Sequence, residues 1–272
     1  KNNDGIDAML EVGIPGGYGF YGVADVLSGD ANPSGHLADT YAVDNSASPA
    51  AQNYGDYEWT NADSDYSINS EIVEAESIYA GYKYYETRYA DTVLGQGNAS
   101  DSVGSSTGGA WTYNSEVSYP FGYGLSYTTF TQTLDSLNVD LENKTVTAEV
   151  TVTNTGDVAG KDVVQLYAST PYTDYDKEHL VEKAAVQLLD YEKTEELAPG
   201  ESTKVTITAD AQDMASWDST AANEAGTTGN YILDAGDYYF TIGNGAHDAV
   251  NNVLAAQGYS ESNGMTSAGD AA

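Results

Sequence analysis

Asp and Glu make up 42 of the 272 residues, against 9 Lys and Arg, so the chemistry open to this chain is carboxylate chemistry before any other. Paired carboxyl groups can do general acid/base work where two of them face one another. With so many acids, however, spacing alone singles out no pair. Choosing Glu76 and Glu116 would rest only on their nearness in the chain. The histidines His36, His179 and His247 lack the short spacings of a metal site, and isolated histidines are more often surface residues. There is no cysteine, hence no disulfide framework and no thiolate metal site. No G-x-S-x-G elbow and no G-x-x-x-x-G-K-[ST] loop occurs, so acyl transfer and P-loop nucleotide hydrolysis lack support.

Two further strings have the letters of a binding motif without its context. Gly17-Tyr18-Gly19-Phe20-Tyr21-Gly22 reads G-x-G-x-x-G, which lets backbone approach a pyrophosphate at a helix N-terminus. The helix expected after it, Val23 to Leu27, is too short, breaking at Gly29 and Pro33, and no second strand with a ribose-binding acid follows. Asn61-x-Asp63-x-Asp65 opens like a calcium loop, but Tyr66 stands where the sharp turn needs glycine and Ile72 where a bidentate Glu belongs. A solvated polar loop is the expectation there. No metal and no cofactor is expected.

The elements that would have to position any site divide into two kinds. A chain of this length accommodates two ordinary domains. The formal net charge of −33 excludes nucleic acid and disfavours an anionic membrane surface, since both need counter-charges from the protein. Such acidity is the solvated, self-repelling surface of a secreted or salt-exposed protein, and a secreted or cell-surface location is favoured over a cytoplasmic one. No apolar run reaches the length of a membrane span, and Lys1-Asn2-Asn3-Asp4 is no signal peptide. Asp7 to Val12 reads as a buried strand with no cap or partner before it, which suggests a piece of a larger enzyme.

The first part alternates strand-like and helix-like stretches. Asn32-Pro33-Ser34-Gly35 is a turn, because proline presets one dihedral and its neighbours suit the others. Residues 45 to 71 read as a polar surface loop. Ile78, Tyr79, Tyr82, Tyr85 and Tyr89 share helical spacing and predict an aromatic helix face, better suited to core packing than to a sugar platform. Residues 92 to 115 read as a flexible insertion, after which Trp111 and Tyr113 resume packing. Tyr119 to Phe130 interleaves aromatics with Pro120, Gly122 and Gly124, as a packed connector would.

From residue 131 the period becomes two. Val146, Ala148, Val150 and Val152 alternate with polar residues, predicting one face of a half-buried strand. Further strands are expected at Asp162 to Tyr167 and Thr203 to Ile207. A closing hairpin is expected from Tyr231-Ile232-Leu233, the turn Asp234-Ala235-Gly236, and Tyr238 to Gly243. Short alternating strands over this length make an immunoglobulin-like sandwich. Beyond Gly258 the residues are small and polar, a tail or linker.

Four of these stretches resemble glycoside hydrolase family 3, the β-glucosidase and β-xylosidase family, in the family's order. They are Ala24-Asp25-Val26-Leu27 through Asn32-Pro33-Ser34-Gly35-His36-Leu37, the Glu76 to Glu86 aromatic stretch, the Tyr119 to Phe130 connector, and the Val152-Thr153-Asn154-Thr155-Gly156 strand end with Ala198-Pro199-Gly200-Glu201-Ser202. His36 stands where the family carries a basic residue, and Ser77, where it carries glycine, suggests helical rather than turn geometry. The resemblance implies an α/β fragment, the end of an (α/β)6 sandwich, followed by an all-β immunoglobulin-like (fibronectin type III-like) sandwich. The expected division is residues 1–92, a connector over 93–130, the second domain over 131–258, and a polar tail over 259–272.

The implied activity is that of a retaining β-glycosidase, most directly a β-glucosidase acting on terminal non-reducing β-glucosyl residues. Its partners would be a β-linked oligosaccharide or glycoside and a (β/α)8 barrel of the same enzyme. In that family the nucleophile is a barrel aspartate in a Ser-Asp-Trp type of motif, and the nearest string here, Ser216-Trp217-Asp218, has the wrong order. The acid/base glutamate belongs to a stretch preceding Lys1. No catalytic residue is therefore expected in this chain, and binding residues are not assigned. The alternative class is a non-catalytic carbohydrate-binding or structural module of a surface protein.

Overall fold

The computed structural model describes residues 5–55, 57–59 and 70–271; the calcium-like string at Asn61, Asp63, Asp65 and Tyr66, and the opening Lys1 to Asp4, lie outside them. Residues 5–12 form no strand and are exposed. Their apolar side chains imitate a buried strand, but no ladder partner is present among the described residues to take their backbone groups. Helix α1 (Gly16–Ser28) starts behind Pro15 and ends on Gly29 in the left-handed region. The Gly17 to Gly22 run is thus inside a helix rather than in a loop before one, despite the roughly 1 kcal/mol each glycine costs relative to alanine, and from Gly19, which donates to the Pro15 carbonyl, its N–H groups enter the helix ladder.

Short elements follow: β1 (Tyr41–Ala42), α2 (Pro49–Asn53), β2 (Tyr57–Glu58) and β3 (Ser70–Glu71). Helix α2 interrupts the stretch expected to be loop, with Ser48 capping it by accepting from the Ala51 N–H. Helix α3 (Tyr82–Leu94) begins only after Gly81. Ser77 sits at φ +52°, so this position is a turn after all, in a backbone conformation that the family's glycine adopts without strain. The single turn α4 (Tyr113–Glu116) leads into β4 (Val117–Tyr119), which pairs with β1.

The stretch expected to be a flexible insertion is tied down instead. Arg88 donates to the carbonyls of Ala99 and Asp101, and the buried Glu116 accepts from Ser105 and from the N–H of Ser106. Low sequence complexity left no periodicity from which these contacts could be read.

The second half contains β5 (Phe130–Asp140), β6 (Thr145–Asn154), β7 (Val163–Ser169), α5 (Asp174–His179), β8 (Gln187–Lys193), β9 (Ser202–Asp210), β10 (Ser216–Ala222), β11 (Thr228–Ile232), β12 (Tyr239–Gly243) and α6 (Ala246–Ala256). Two three-stranded antiparallel sheets, β5-β6-β9 and β12-β7-β8, enclose an aliphatic core that includes Val146, Val150, Val164, Leu166 and Ile207. The alternating face of β6 is inside, as its pattern predicts. All seven residues of β7 are buried: Leu166 faces the sandwich interior, Tyr167 a second core. The expected closing hairpin does not form, because β11 pairs with β10 and β12 crosses over to pair with β7. Two runs joined by turn residues look the same in sequence whether or not they pair with each other.

The second core joins the two halves. Tyr85, Tyr89, Ala90 and Val93 of α3, with Trp111 and Tyr113, pack on Ala249, Val250, Val253 and Leu254 of α6. The expected polar tail is also part of it. Met265 is buried in this core, Thr266 donates its N–H to the Tyr89 hydroxyl at 2.8 Å, and a Cβ on Gly269 would lie 2.0 Å from the Asn251 carbonyl. Residues 260–271 therefore strap α6 onto α3, and one methionine among small residues was too faint a signal to show it.

Candidate functional site

The connector touches both halves of the molecule. Gly122 sits at φ +81°, and a side chain there would run into Gln165 of β7 and the backbone of Gly245; a Cβ on Gly124 would lie 2.3 Å from the Gly35 carbonyl. One glycine of the pair admits the sandwich and the other admits the Asn32 to Gly35 turn. Backbone bonds hold both sides, Gly122 N–H to the Leu37 carbonyl and Ala246 N–H to the Phe121 carbonyl. Asn32 completes the joint: its Oδ1 accepts from Ser126 Oγ and the Tyr127 N–H, and its Nδ2 donates to the Ala159 carbonyl at 3.0 Å. Asn154, fully buried, serves the same purpose from β6, accepting from Thr128 and donating to the carbonyls of Val158 and Leu197. Burying an amide is tolerable only when its groups are satisfied in this way.

The carboxylates raised by the sequence are separated. Glu76 accepts from Asn53, which holds its carboxyl below the usual range, while Glu116 is spent on Ser105, Ser106 and Ser115. Glu86, which the sequence did not single out, is fully buried. One of its oxygens accepts from the Tyr113 hydroxyl at 2.5 Å and the other faces His247 Nδ1 at 2.7 Å. His247 is stacked on the Tyr113 ring and reaches Thr266 through Nε2, so it is a seam residue and not the surface histidine expected. Burial and the adjoining Glu86 carboxylate push the Tyr113 hydroxyl far above its ordinary pKa. This cluster is a polar lock within an apolar core, with both carboxylate oxygens already engaged.

The remaining histidines take no part in it. His36 is packed against Gly124, and burial lowers its pKa, so it is held neutral where an arginine would be charged. His179 stacks on Tyr175 at the surface. Asp218, from the Ser216 to Asp218 string, is buried and accepts from Tyr175 and from the backbone and hydroxyl of Thr220. The Tyr175 hydrogen bond is the chief reason its carboxyl is held down at about 2. It anchors α5 to the β10–β11 hairpin. No group of three or more His, Cys, Asp or Glu able to hold a metal occurs among the described residues.

An open cleft of about 550 Å³ lies where α3 meets the sandwich, between Asp91 and Leu94 on one side and Pro171, Tyr172 and Lys183 on the other, with Val253 of α6 at its base. Its walls are fixed. Tyr79 donates to the Lys183 carbonyl, Thr87 accepts from the Ala185 N–H, and Tyr82 accepts from the Leu188 N–H. The Lys183 ammonium is buried among Asp176, Asp234 and the Pro171 carbonyl at 2.5 to 2.9 Å. Asp176 also closes a capping box with Thr173 at the start of α5. Burial of the Tyr79 hydroxyl pushes its pKa to about 12.

An α/β portion is thus locked through an aromatic seam onto an all-β sandwich. Residues 1–127 match the glycosyl hydrolase family 3 C-terminal domain and residues 162–246 the fibronectin type III-like domain. The two matches, in this order, make the chain similar to the C-terminal part of glycosyl hydrolase family 3 proteins. It is 34% identical over 262 residues to Beta-glucosidase A of Butyrivibrio fibrisolvens, an alignment covering 91% of this chain and 26% of that protein. Identity to Beta-glucosidase B of Emericella nidulans is 31%, over 94% of this chain and 26% of that one. Among solved structures, a β-glucosidase from Paenibacillus barengoltzii aligns with a TM-score of 0.61 at 32% identity, over 84% of this chain and 20% of that one. Beta-glucosidase 3B from Thermotoga neapolitana, solved with glucose, aligns with a TM-score of 0.55 at 30% identity, over 82% of this chain and 24% of that one. The chain spans about a quarter of the length of the curated relatives it matches.

Proposed function

We propose that this chain is part of a retaining β-glycosidase, with β-glucosidase as its specificity, and that it shapes and supports the sugar cleft of the whole enzyme. Retaining hydrolysis places a carboxylate nucleophile and a carboxyl acid/base about 5 Å apart across the scissile bond. On this reading both are supplied by sequence outside the chain, the nucleophile by a (β/α)8 barrel. The observation that carries the proposal is the agreement with β-glucosidases along nine-tenths of the chain. It is supported by apolar side chains left uncovered on the N-terminal portion, where Ile14 and, around α1, Tyr18, Phe20, Tyr21 and Leu27 are all exposed and no residue of the helix is buried. A surface of this kind marks an interface, and the rest of the sugar-cleaving enzyme is what we assign to it. Secretion or display at the cell surface fits the net charge of −33.

The test is an assay of the isolated chain on an aryl β-glucoside, alone and with the remainder of the enzyme supplied, both the barrel and the stretch that carries the acid/base glutamate. The expected result is no turnover alone and turnover with the complement. Turnover by the isolated chain, lost on replacing one of its own carboxylates, overturns the proposal.

A further inference from the structure

Asp91 is the one acid of the seam cleft with a strongly altered environment and nothing to meet it. It lies near the C-terminal end of α3, half-buried, lining the cleft. Among the described residues its carboxylate has no hydrogen-bond or ionic partner. Burial alone raises its pKa to about 6. The buried carboxylates near this seam each have at least one partner: Glu86 has Tyr113 and His247, Asp176 has Lys183 and Thr173 on Oδ2 while its buried Oδ1 stays unpaired, and Glu116 has three serines. An unanswered, partly desolvated carboxylate is costly, and a site that keeps one open to a concave cleft is poised for a donor from outside.

The cleft also offers the rings of Tyr172 and Tyr239, the amide of Gln96 and the ammonium of Lys177. Lys177 stands over the Tyr172 ring at 5.8 Å and is paired with Asp174, and Lys183 is neutralised by its two aspartates. No excess of positive charge is left to attract a phosphate or sulfate. Rings for apolar faces, the half-buried carboxylate of Asp91 and the exposed one of Asp237 for hydroxyl donors, and an amide for either role together suit a neutral polyol. The volume of about 550 Å³ falls within the range of small-molecule sites.

We propose that this cleft binds a neutral mono- or disaccharide, with Asp91 accepting from its hydroxyls and Tyr172 lying against a sugar face. The site stands on the geometry of the cleft; only the choice of glucose as the first probe rests on the β-glucosidase reading.

Titration of the chain with glucose and cellobiose, and in parallel with galactose and maltose, tests it by calorimetry and by the carboxyl carbon resonance of Asp91. Saturable binding in the millimolar range that moves the Asp91 resonance is expected for at least one of the four. Asp91→Asn, which keeps the side-chain volume and removes an uncompensated charge, should weaken binding about tenfold, the worth of one hydrogen bond to a charged acceptor. Tyr172→Ala, at an exposed ring, should weaken it about fivefold without unfolding the chain. Binding of maltose or galactose but of neither glucose nor cellobiose would support the site while counting against the β-glucosidase reading. An Asp91 resonance that none of the four sugars moves, or binding that survives both substitutions unchanged, overturns the proposal.

Discussion

The two cores of this molecule are built from different materials. The sandwich interior is aliphatic and closed, with Val146, Val150, Val152, Val164 and Leu166 all fully buried between the two sheets. The seam core between α3 and α6 is aromatic and threaded by polar groups, the buried Glu86, Tyr113 and Asn251 and the part-buried His247. Burial of apolar area is non-directional, and in the sandwich the direction comes from the sheet ladders. At the seam no ladder crosses from α3 to α6, so hydrogen bonds of fixed geometry must set how the two halves meet. The comparison shows a fold that uses apolar area to hold one domain together and polar groups to fix its neighbour in place.

The sharpest way to break that contrast is a cavity in the sandwich. Leu166→Ala should cost about 4 kcal/mol in denaturant unfolding, at the upper end of the range for fully buried leucines. A loss below about 1 kcal/mol would mean that the sandwich is not a closed core. Next comes the lock at the seam. Glu86→Ala leaves the Tyr113 hydroxyl and the His247 ring unanswered inside an apolar core and should cost about 3 kcal/mol. Its signature should be local, with amide exchange quickening in α3 and α6 before β6 and β9; a uniform loss would show that the seam and the sandwich unfold as one.

A third difference shows in acid. Asp218 is held at about 2, below its ordinary value near 4. Its stabilisation is therefore complete above about pH 4 and is lost as the pH falls toward 2. Asp218→Asn should remove that part of the acid limb, so melting temperature measured from pH 5 to pH 2 should fall less steeply than in the parent chain. Asp91 acts in the opposite sense. Its folded carboxyl is raised, so ionising it costs stability as the pH rises from about 4 to about 6, and Asp91→Asn should be the more stable variant above pH 6. The smallest effect belongs to the uncovered helix. Leu27 is 72% exposed, so Leu27→Ala should change the stability of this chain by less than about 0.5 kcal/mol. It should nevertheless weaken assembly with the rest of the enzyme if that surface is an interface.

How much of this was legible before the structure depends on the range of the interaction. The strict alternation over Thr145 to Thr153 predicts a half-buried strand and the structure supplies one over Thr145–Asn154, a residue longer, because strand faces follow from neighbours two residues apart. The core role of Tyr85 and Tyr89 was readable from helical spacing for the same reason. Glu86 lies between them and was passed over, since a glutamate beside an aromatic stripe is ordinarily solvated; only its partners, Tyr113 at 27 residues and His247 at 161, make it a core residue. Helix α6 and the strap after it have no local signal of their own, because each buries its apolar groups against α3, more than a hundred residues earlier.

The amino-acid sequence alone settled the two kinds of structure, the connector between them and the family resemblance, since each is carried by local pattern and by contiguous motifs. Tertiary structure alone decided which polar groups would be buried and which left open. It answered Glu86, Asn154 and Asp218 and left Asp91 unanswered in its cleft. The physical reason is that the cost of burying a polar group is set by whether a partner of the right geometry arrives from elsewhere in the chain, and that arrival is a property of the packed molecule, not of any segment of it.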